Sequence, residues 1–408
     1  MRSRHLFVVN NEVDVLIIGG GLTGAMLSLA LAQSSYTTLL VDSKPLDIKQ
    51  KEGFDARSLA LSPASARILS MLGVWGKLEA FTAPIKNIHV SEQKRVGATR
   101  LQGETNQLLG HVVEMQSLFA AINPLINKKN VLAPAQVTQI DEKTGTATVT
   151  TSEHKSLTIK AGLIVAADGA DSFVRKSLGL QADVKSYNQS ALVANIGLSR
   201  THHGIAYERF TSKGPLALLP MTDNRVAMVW SLEPLEAEKM MLIEEKLFIN
   251  QLHDVFGYRL GRLNKVGHRA IFPLRQVIMK QQAAWPVIFI GNAAHTLHPV
   301  AGQGFNLGLR DVALLAQYII KHGIHRDMLN QYQQERSHDQ TAIRYFTDGL
   351  VELFNNKTPG LSTARGCGLL LLDHLAPLKK LVSRYASGFA GVAPDLVCNI
   401  PLTEEVGG

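Results

Sequence analysis

The hydrophobic pattern near the N-terminus predicts a strand, a tight turn and a helix. The run VDVLII (13–18) is almost continuously apolar, three glycines follow it, and LTGAMLSLALAQ (22–33) then has the composition of a buried helix. A second apolar run, TTLLV (37–41), ends at Asp42. A strand, a helix and a second strand in this order form a βαβ unit, which implies a parallel sheet covered by helices.

The middle of the chain has a different pattern, with short apolar runs at hairpin spacing. They are followed by one more buried strand, VIFIG (287–291), and a mostly helical segment from Ala313 onward. A helical stretch at 235–256 interrupts the runs, which predict strands at SALVANIGLS (190–199), IAYERFT (205–211), GPLALLPM (214–221), RVAMVWSL (225–232) and HRAIFPLR (268–275). We therefore expect a second, sheet-rich domain inserted into the first.

The order of these elements predicts a mixed α/β (α+β) fold with a discontinuous first domain. That domain comprises 1–80, 105–180 and 276–345, the sheet-rich domain comprises 81–104 and 181–275, and 346–408 form a C-terminal helical region. Because the chain leaves the first domain and returns to it, residues far apart in sequence have to meet at one site.

Composition narrows the class of function only slightly. The 408 residues are 46% hydrophobic, enough for a large core, and the net charge of +8 favours anionic partners. No basic stripe or nucleic-acid-binding module occurs in the sequence, which argues against nucleic acid. Cys367 and Cys398 have no metal-ligand spacing, so no metal is expected, and they suit a reducing cytoplasm. Three glycines interrupt the apolar run at 15–33, which favours a strand-to-helix turn over a membrane anchor.

The first candidate site is a G-x-G-x-x-G motif formed by Gly19, Gly21 and Gly24 between the strand and the helix. Such glycines allow a tight turn, the approach of a pyrophosphate to the backbone and close helix–strand packing. Asp42 lies 18 residues after Gly24, where a carboxylate can accept hydrogen bonds from ribose hydroxyls. The motif predicts an adenine dinucleotide and leaves NAD and FAD as alternatives.

The second candidate is LIVAADGADSFVRKSLG (163–179), where a buried strand ends at Asp168 and Gly169. Ser172 and Arg175 follow in the next turn. By itself the stretch is equally compatible with an ordinary strand end and helix cap.

The third candidate is GNAAHTLHPVAGQGFNLGLRD (291–311), which also follows a buried strand. The side-chain amide of Asn292 can bind a polyol, and the Gly302–Gly304 segment places bare N–H groups at the start of a helix. Such a helix end stabilises the negative charge of a reduced flavin. The alternative is a loop before a packing helix.

Together the three motifs, in this order, resemble those of the FAD-dependent aromatic hydroxylases of the p-hydroxybenzoate hydroxylase type. The segment FDARSLALSPASARIL also resembles that family's D-x-R-x-x-A-L stretch. The resemblance implies a Rossmann-like FAD-binding domain with an inserted β-sheet substrate domain. It assigns Gly19, Gly21, Gly24, Asp42 and Arg57 to the ADP half of FAD, Asp168 and Asn292 to the pyrophosphate and ribityl chain, and Pro299, Gly302, Gly304 and Asn306 to the isoalloxazine ring. Thr23 is also expected to bind the cofactor.

The same resemblance implies bound FAD, NADH or NADPH as a transient co-substrate, and O₂. Within the family, HPVAGQGFNLGLRDVALLA is similar to the hydroxylases of ubiquinone biosynthesis, and Asn292 in place of the usual Asp is similar to their 2-polyprenyl-6-methoxyphenol hydroxylase branch. The implied substrate is a polyprenylated phenol. Two alternatives stay open: a soluble aromatic or polyketide substrate, and a non-catalytic flavin-binding subunit of a biosynthetic complex.

No catalytic residue is predicted. His298 adjoins Pro299 and is a candidate, but a histidine there serves equally well to fix a loop, and His295 is expected to be structural. A membrane-resident substrate would call for a cytoplasmic enzyme in peripheral contact with the inner membrane or with a biosynthetic complex. The segment 369–391 combines apolar residues with lysines and an arginine, as an interfacial helix does, although a helix packed on the core fits the same pattern.

Overall fold

The computed structural model shows an α/β molecule built from two large sheets and one small sheet. It describes residues 11–46, 57–95, 97–103, 107–298, 302–355, 375, 387–389, 391 and 393–402. The strands are β1 (Glu12–Ile18), β2 (Thr38–Val41), β3 (Ser58–Leu61), β4 (Thr82–Ile85), β5 (Asn87–Glu92), β6 (Ala98–Gln102), β7 (Gly110–Glu114), β8 (Val131–Leu132), β9 (Ala135–Asp141), β10 (Thr146–Thr151), β11 (Ser156–Ala166), β12 (Ala182–Leu198), β13 (Ile205–Thr211), β14 (Gly214–Met221), β15 (Arg225–Leu232), β16 (Leu263–Val266), β17 (Ala270–Met279), β18 (Ala283–Ala284), β19 (Val287–Phe289) and β20 (His295–Thr296). The helices are α1 (Leu22–Ala30), α2 (Pro63–Met71), α3 (Trp75–Leu78), α4 (Met115–Ile122), α5 (Phe173–Ser177), α6 (Pro234–Leu242), α7 (Glu245–Phe256), α8 (Gln303–His322) and α9 (Arg326–Asn355).

The predicted βαβ unit forms the centre of the first sheet. Strands β19, β11, β1, β2 and β8 lie side by side and are parallel. Val15 and Ile17 of β1 pack with residues of α1 and α8, whereas Leu16 and Ile18 pack with residues of β9 and β10. Helices therefore cover one face of this sheet, as expected, but the antiparallel β9–β10 hairpin covers the other. Both faces are buried, which explains the nearly continuous apolar composition of the strands.

The short apolar runs in the middle of the chain form the second sheet, and β13, β14 and β15 have the predicted bounds. Strand β12 differs from its prediction: it begins at Ala182 instead of residue 190, because it pairs with both β15 and β17 along its length. The helical stretch at 235–256 is two helices, since the backbone at Ile243 is extended. The second sheet also crosses the boundary predicted at residue 275, because β17 continues to Met279. The domain boundaries themselves stay a prediction.

The spacing of apolar residues in RSLALSPASARILSMLGVWGKL (57–78) predicts a helix, and the small sheet corrects this prediction at the start of the segment. Residues Ser58–Leu61 form β3, which pairs with β7 in antiparallel fashion, and β4 pairs with the other edge of β7. Helix α2 begins only at Pro63, where the Ser62 hydroxyl accepts a hydrogen bond from the Ser65 N–H at 3.2 Å. Proline is favoured at the first helical position, and serine is favoured just before it, so the boundary follows from local sequence.

After the second sheet, α8 packs across α1 and α2, and α9 packs against α8. The predicted interfacial segment 369–391 lies almost entirely outside the described residues, so its two interpretations stay predictions. Within the described ranges, no helix combines the length and the apolar composition that crossing a membrane requires.

Candidate active site

The glycine-rich loop after β1 fits closely against the neighbouring backbone. Gly19 has a φ of +106°, and a Cβ atom there would lie 2.5 Å from the carbonyl oxygen of Ala167. A Cβ atom on Gly24 would lie 1.9 Å from the carbonyl oxygen of Gly19. Any side chain at either position would force the strand end and the helix apart. The loop therefore brings the start of α1 to the carboxyl edge of the parallel sheet.

Asp42 follows β2 at the same edge and contacts this loop. One carboxylate oxygen, Oδ2, accepts a hydrogen bond from the Gly20 N–H at 2.5 Å, and Oδ1 accepts one from the Lys44 N–H at 2.7 Å. The carboxylate is thus held beside the glycine motif, as the spacing in the sequence predicted.

The second motif follows β11 on the other side of β1. The Asp168 carboxylate accepts a hydrogen bond from the Val174 N–H at 3.1 Å through Oδ2. Ser172 caps α5, as the sequence suggested, because its hydroxyl accepts from the Arg175 N–H at 3.1 Å. This motif can therefore contain both a binding site and a helix cap. Ser172 caps the helix, and the second carboxylate oxygen of Asp168, Oδ1, remains available for another contact.

Arg175 joins the second motif to the third. Its buried guanidinium donates through Nη1 to the Ala293 carbonyl at 2.8 Å and through Nη2 to the Ala170 carbonyl at 2.6 Å. The loop after β11 and the loop after β19 are thereby held together although 118 residues separate the first pair of partners. The sequence showed an arginine here but gave no signal for its partners.

The third motif provides a second helix start at the site. Gly302 precedes α8 with a left-handed backbone at φ +62°, a conformation that favours glycine. The buried Asn306 side chain fixes this turn to β3 and α2. Its Oδ1 accepts from the Ser62 N–H at 2.9 Å and the Ser65 hydroxyl at 2.7 Å, and its Nδ2 donates to the carbonyls of Ala60 at 2.9 Å and Gly302 at 2.7 Å. Asn306 thus borders the cavity while its amide is engaged with protein. Pro299 lies outside the described residues.

A buried ionic cluster stands behind the third motif. The Asp311 carboxylate accepts hydrogen bonds from the Gly291 N–H at 2.9 Å, His295 Nε2 at 2.5 Å, Arg336 Nε at 2.8 Å and Gln340 Nε2 at 3.2 Å. Burial alone would raise the pKa of Asp311, but His295 and Arg336 outweigh it and hold the pKa well below its ordinary value. His295 is therefore structural, as expected, whereas the roles of Asp311 and Arg336 were missed.

A cavity of about 730 Å³ lies between these motifs and the second sheet. Seven of the predicted site residues line one side of it, among them Arg57, whose guanidinium lies 5.7 Å from the centre of the Phe272 ring. These seven are Gly21, Thr23, Arg57, Asn292, Gly302, Gly304 and Asn306. Gly19, Gly24, Asp42 and Asp168 stand behind this side and shape it without lining it.

This side of the cavity has the donors and the space that FAD requires. A Cβ atom on Gly21 or Gly304 would meet no protein atom within 4 Å, so the backbone there is open to a ligand. Asp168 Oδ1 is buried and has no hydrogen-bond partner in the described part of the chain. Helices α1 and α8 begin without a side-chain cap and without an acidic residue in the first turn, so their N–H groups are suited to anionic oxygens.

The opposite side is the second sheet, and it is almost entirely apolar. Ile88, Val90, Leu219 and Val229 line it, together with one carboxylate, that of Glu208. Burial raises the pKa of Glu208 to about 7. Its remaining accessible surface faces the cavity, since Glu208 is among the lining residues. Alternation along IAYERFT places this glutamate on the same strand face as Ala206 and Phe210, a signal that the glycine motifs do not contain.

His298, which the sequence offered as a catalytic candidate, is buried next to the second sheet. Burial lowers its pKa to about 4 even though Asp348 acts in the opposite direction. Its ring meets that of Tyr187 edge-on at 4.8 Å between centroids, and the Tyr187 hydroxyl donates to Asp348 Oδ1 at 2.6 Å. At neutral pH the imidazole is uncharged, and its surroundings are those of a packed side chain. Among the described residues, no group of three or more potential ligands forms a metal site.

The segment that contains the three motifs and the cavity matches a known protein family. Residues 12–347 match the family model described as FAD binding domain. The chain belongs to this family. It is 33% identical to the ubiquinone hydroxylase UbiL of Rhodospirillum rubrum over 406 residues, which cover 95% of this chain and 93% of the relative. It is 27% identical to the 3-demethoxyubiquinol 3-hydroxylase of Escherichia coli, across 93% of this chain and 100% of the relative.

The fold agrees with that of a solved structure. The p-nitrophenol 4-monooxygenase PnpA from Pseudomonas putida DLL-E4 superposes with a TM-score of 0.76 at 16% identity, covering 94% of this chain and 99% of that chain. The predicted family membership, the fold class and the FAD cofactor are confirmed. The protein is an FAD-dependent aromatic-ring monooxygenase, and NAD(P)H is the co-substrate typical of its family.

Proposed function

We propose that the protein hydroxylates the aromatic ring of a polyprenylated phenol, 2-polyprenyl-6-methoxyphenol, in ubiquinone biosynthesis, using NAD(P)H and O₂. The observation that carries the proposal is the cavity, where glycine-rich backbone faces an apolar sheet. An apolar wall suits an uncharged, prenylated ring better than it suits an aromatic acid. The names of the relatives, which are ubiquinone hydroxylases, support the pathway.

In this proposal the three motifs hold successive parts of FAD. The glycine loop with Gly19, Gly21 and Gly24 would receive the pyrophosphate at the start of α1, with Thr23, Asp42 and Arg57 around the adenosine half. The unpaired oxygen of Asp168 and the amide of Asn292 would bind the ribityl chain. The start of α8 at Gly302 and Gly304, with Asn306 in its first turn, would face the ring, where its dipole favours a reduced, anionic flavin. Pro299 keeps its assignment to the ring from the sequence alone.

Bound FAD supplies the oxygen chemistry, and the chain supplies placement and the exclusion of water. The apolar side chains of the second sheet would hold the phenol ring against the flavin edge. Because they offer few hydrogen bonds to water, they would also protect a reactive intermediate from hydrolysis.

The test is product formation by the purified protein loaded with FAD. With 2-prenyl-6-methoxyphenol, we expect NAD(P)H consumption to match the amount of hydroxylated product, whereas 4-hydroxybenzoate should give little of either. Gly24→Ala is the matched control, because its Cβ would collide with the Gly19 carbonyl and prevent flavin retention.

A second arm uses the living cell, where deletion of the gene should cause a polyprenyl-methoxyphenol to accumulate. Normal ubiquinone in the deletion strain would refute the pathway assignment. Turnover of the soluble acid in preference to the prenylated phenol would refute the substrate class.

A further inference from the structure

Glu208 has the one carboxylate among the described side chains of the second sheet that face the cavity. It lies on β13 between Ala206 and Phe210, which face the same way, and its register neighbours are Val90 on β5 and Ala217 on β14. All four neighbours line the cavity and are apolar. The next residue, Arg209, belongs to the other face of the strand. The Glu208 carboxylate therefore faces the cavity from a strand surface on which its neighbouring side chains are all apolar.

The Glu208 carboxylate has no hydrogen bond or ion pair to any described part of the chain, and Arg209 does not neutralise it. The Arg209 guanidinium donates to the Val255 carbonyl at 2.7 Å and to the Ser91 hydroxyl at 3.2 Å. Glu114, another carboxylate shielded from solvent, shows the usual arrangement, since Arg225 pairs with it at 2.8 Å. An acid that is largely shielded from solvent and has no partner is costly to the fold, so its presence at this position points to a ligand.

We propose that Glu208 is a catalytic residue that accepts the proton of the substrate's phenolic hydroxyl. This inference rests on the proposed function, because it requires a phenol in the cavity. In the step, the phenol O–H bond breaks, a Glu208 O–H bond forms, and the electron pair stays on the phenolate oxygen. The proton returns to the phenolate oxygen of the product, so Glu208 ends each turnover ionised and no further reactant is needed.

The chemistry of the cavity explains why a base is required there. An apolar setting keeps a phenol protonated, as the burial-raised pKa of Tyr207 shows, yet a phenolate is the form in which the ring carbons become electron-rich. The raised pKa of Glu208 brings the acid closer to that of a phenol, which makes the transfer less uphill than it would be to an ordinary glutamate. From β5, β6, β14 and β15 only apolar side chains and Thr99 face the cavity, and its other titratable lining residues within the described ranges are Arg57 and Tyr207.

The test compares the binding of 2-prenylphenol with that of its methyl ether, which cannot donate a proton. Binding to FAD-loaded protein is followed by the change in flavin absorbance, and binding to the flavin-free protein by equilibrium dialysis, between about pH 5.5 and 8.5. In the wild type the preference for the phenol should grow about tenfold as Glu208 ionises. In Glu208→Gln the preference should be small and independent of pH, and Glu208→Asp should retain the pH dependence. Glu238→Gln makes the same change on the exposed face of α6 and should resemble the wild type.

Turnover provides a second readout. Hydroxylation by Glu208→Gln should fall about a hundredfold or more and lose its rise with pH. A variant that keeps both the preference and the pH profile would overturn the role of Glu208 while leaving the substrate class intact. Failure of the wild type to bind either compound would overturn the proposed substrate class, and the role of Glu208 with it.

Discussion

Two carboxylates on opposite sides of the cavity, Asp311 fully buried and Glu208 partly buried, show how the surroundings of an acid determine its role. Asp311 lies behind the third motif with four hydrogen-bond donors around it, and its pKa is held low. Glu208 lies on the second sheet among hydrocarbon side chains, and its pKa is raised to about 7. Burial opposes charge in both cases, so the partners determine the outcome.

The comparison separates structural from chemical roles. Asp311 is locked in the charged form, and through the Gly291 N–H and His295 it fixes the loop that carries Asn292. Glu208 can change its protonation state near neutral pH, and its carboxylate is left to a ligand. An acid committed to four protein donors holds the site in shape, whereas an acid without donors is available to react.

The largest expected effect follows from removing the charge of Asp311, which is paired with Arg336 and His295. In Asp311→Asn, Arg336 and His295 keep their places without the carboxylate between them, so we expect the free energy of unfolding to fall by about 3 kcal/mol. Urea unfolding at pH 7 measures the change. Asp327→Asn, on the exposed first turn of α9, is the control and should change stability by less than about 0.5 kcal/mol.

The pH dependence of this difference checks its cause. Because the folded pKa of Asp311 lies below its ordinary value of 3.8, its contribution is present above that pH and disappears as the pH falls further. The difference between wild type and Asp311→Asn should therefore begin to shrink as the pH falls below about 4. A difference that persists unchanged in acid would show that shape, and not charge, is responsible.

A smaller effect of the opposite sign is expected at the other carboxylate. The pKa of Glu208 is higher in the folded state than its ordinary 4.5, so the fold tolerates its protonated form and loses stability as the pH rises through about 7. Glu208→Gln should thus be more stable than the wild type by about 1–3 kcal/mol at pH 8 and equal to it near pH 4.5. Urea unfolding of Glu208→Gln and of the wild type at the two pH values measures this difference. A destabilised variant at pH 8 would mean that Glu208 has a stabilising partner.

The smallest effect is expected where a similar contact is exposed. Lys160 Nζ lies 2.7 Å from Glu12 Oε1, as close as the contacts of Asp311, but both side chains are more than half exposed. We expect Lys160→Met to change the free energy of unfolding by less than about 0.5 kcal/mol, because water screens the pair. A loss comparable to that of Asp311→Asn would show that distance matters more than burial.

Local sequence predicted the parts of the fold that depend on local physics. The glycine turn after β1, the Ser172 cap and the strands β13 to β15 were each predicted from neighbouring residues, and the structure has them. The errors arose where a distant strand decides the outcome. β3 looked helical until β7 paired with it, and β12 extends eight residues further than its alternation indicated because β17 runs beside it.

The site follows the same rule. Glycine motifs are recognised by their spacing, so most of the residues that line the motif side of the cavity could be predicted. The partners of Asp311, Arg175 and Asn306 are contributed by segments far away in sequence, and no local pattern specifies them. Glu208 was missed for another reason: a single glutamate in a strand normally marks a solvent-exposed face, and the one local sign that this glutamate faces inward is its apolar neighbours at alternate positions, Ala206 and Phe210.

The contacts of Asn306 also determine when the molecule can be completed during synthesis. Its partners Ser62 and Ser65 leave the ribosome 244 and 241 residues earlier, and β19 joins β11 only after strands β12 to β17 of the second sheet have been made. The cavity therefore stays incomplete through most of translation. During this time the apolar side chains that line it lack their final neighbours. In the proposed binding mode, FAD can therefore bind with all of its contacts only to the nearly finished polypeptide.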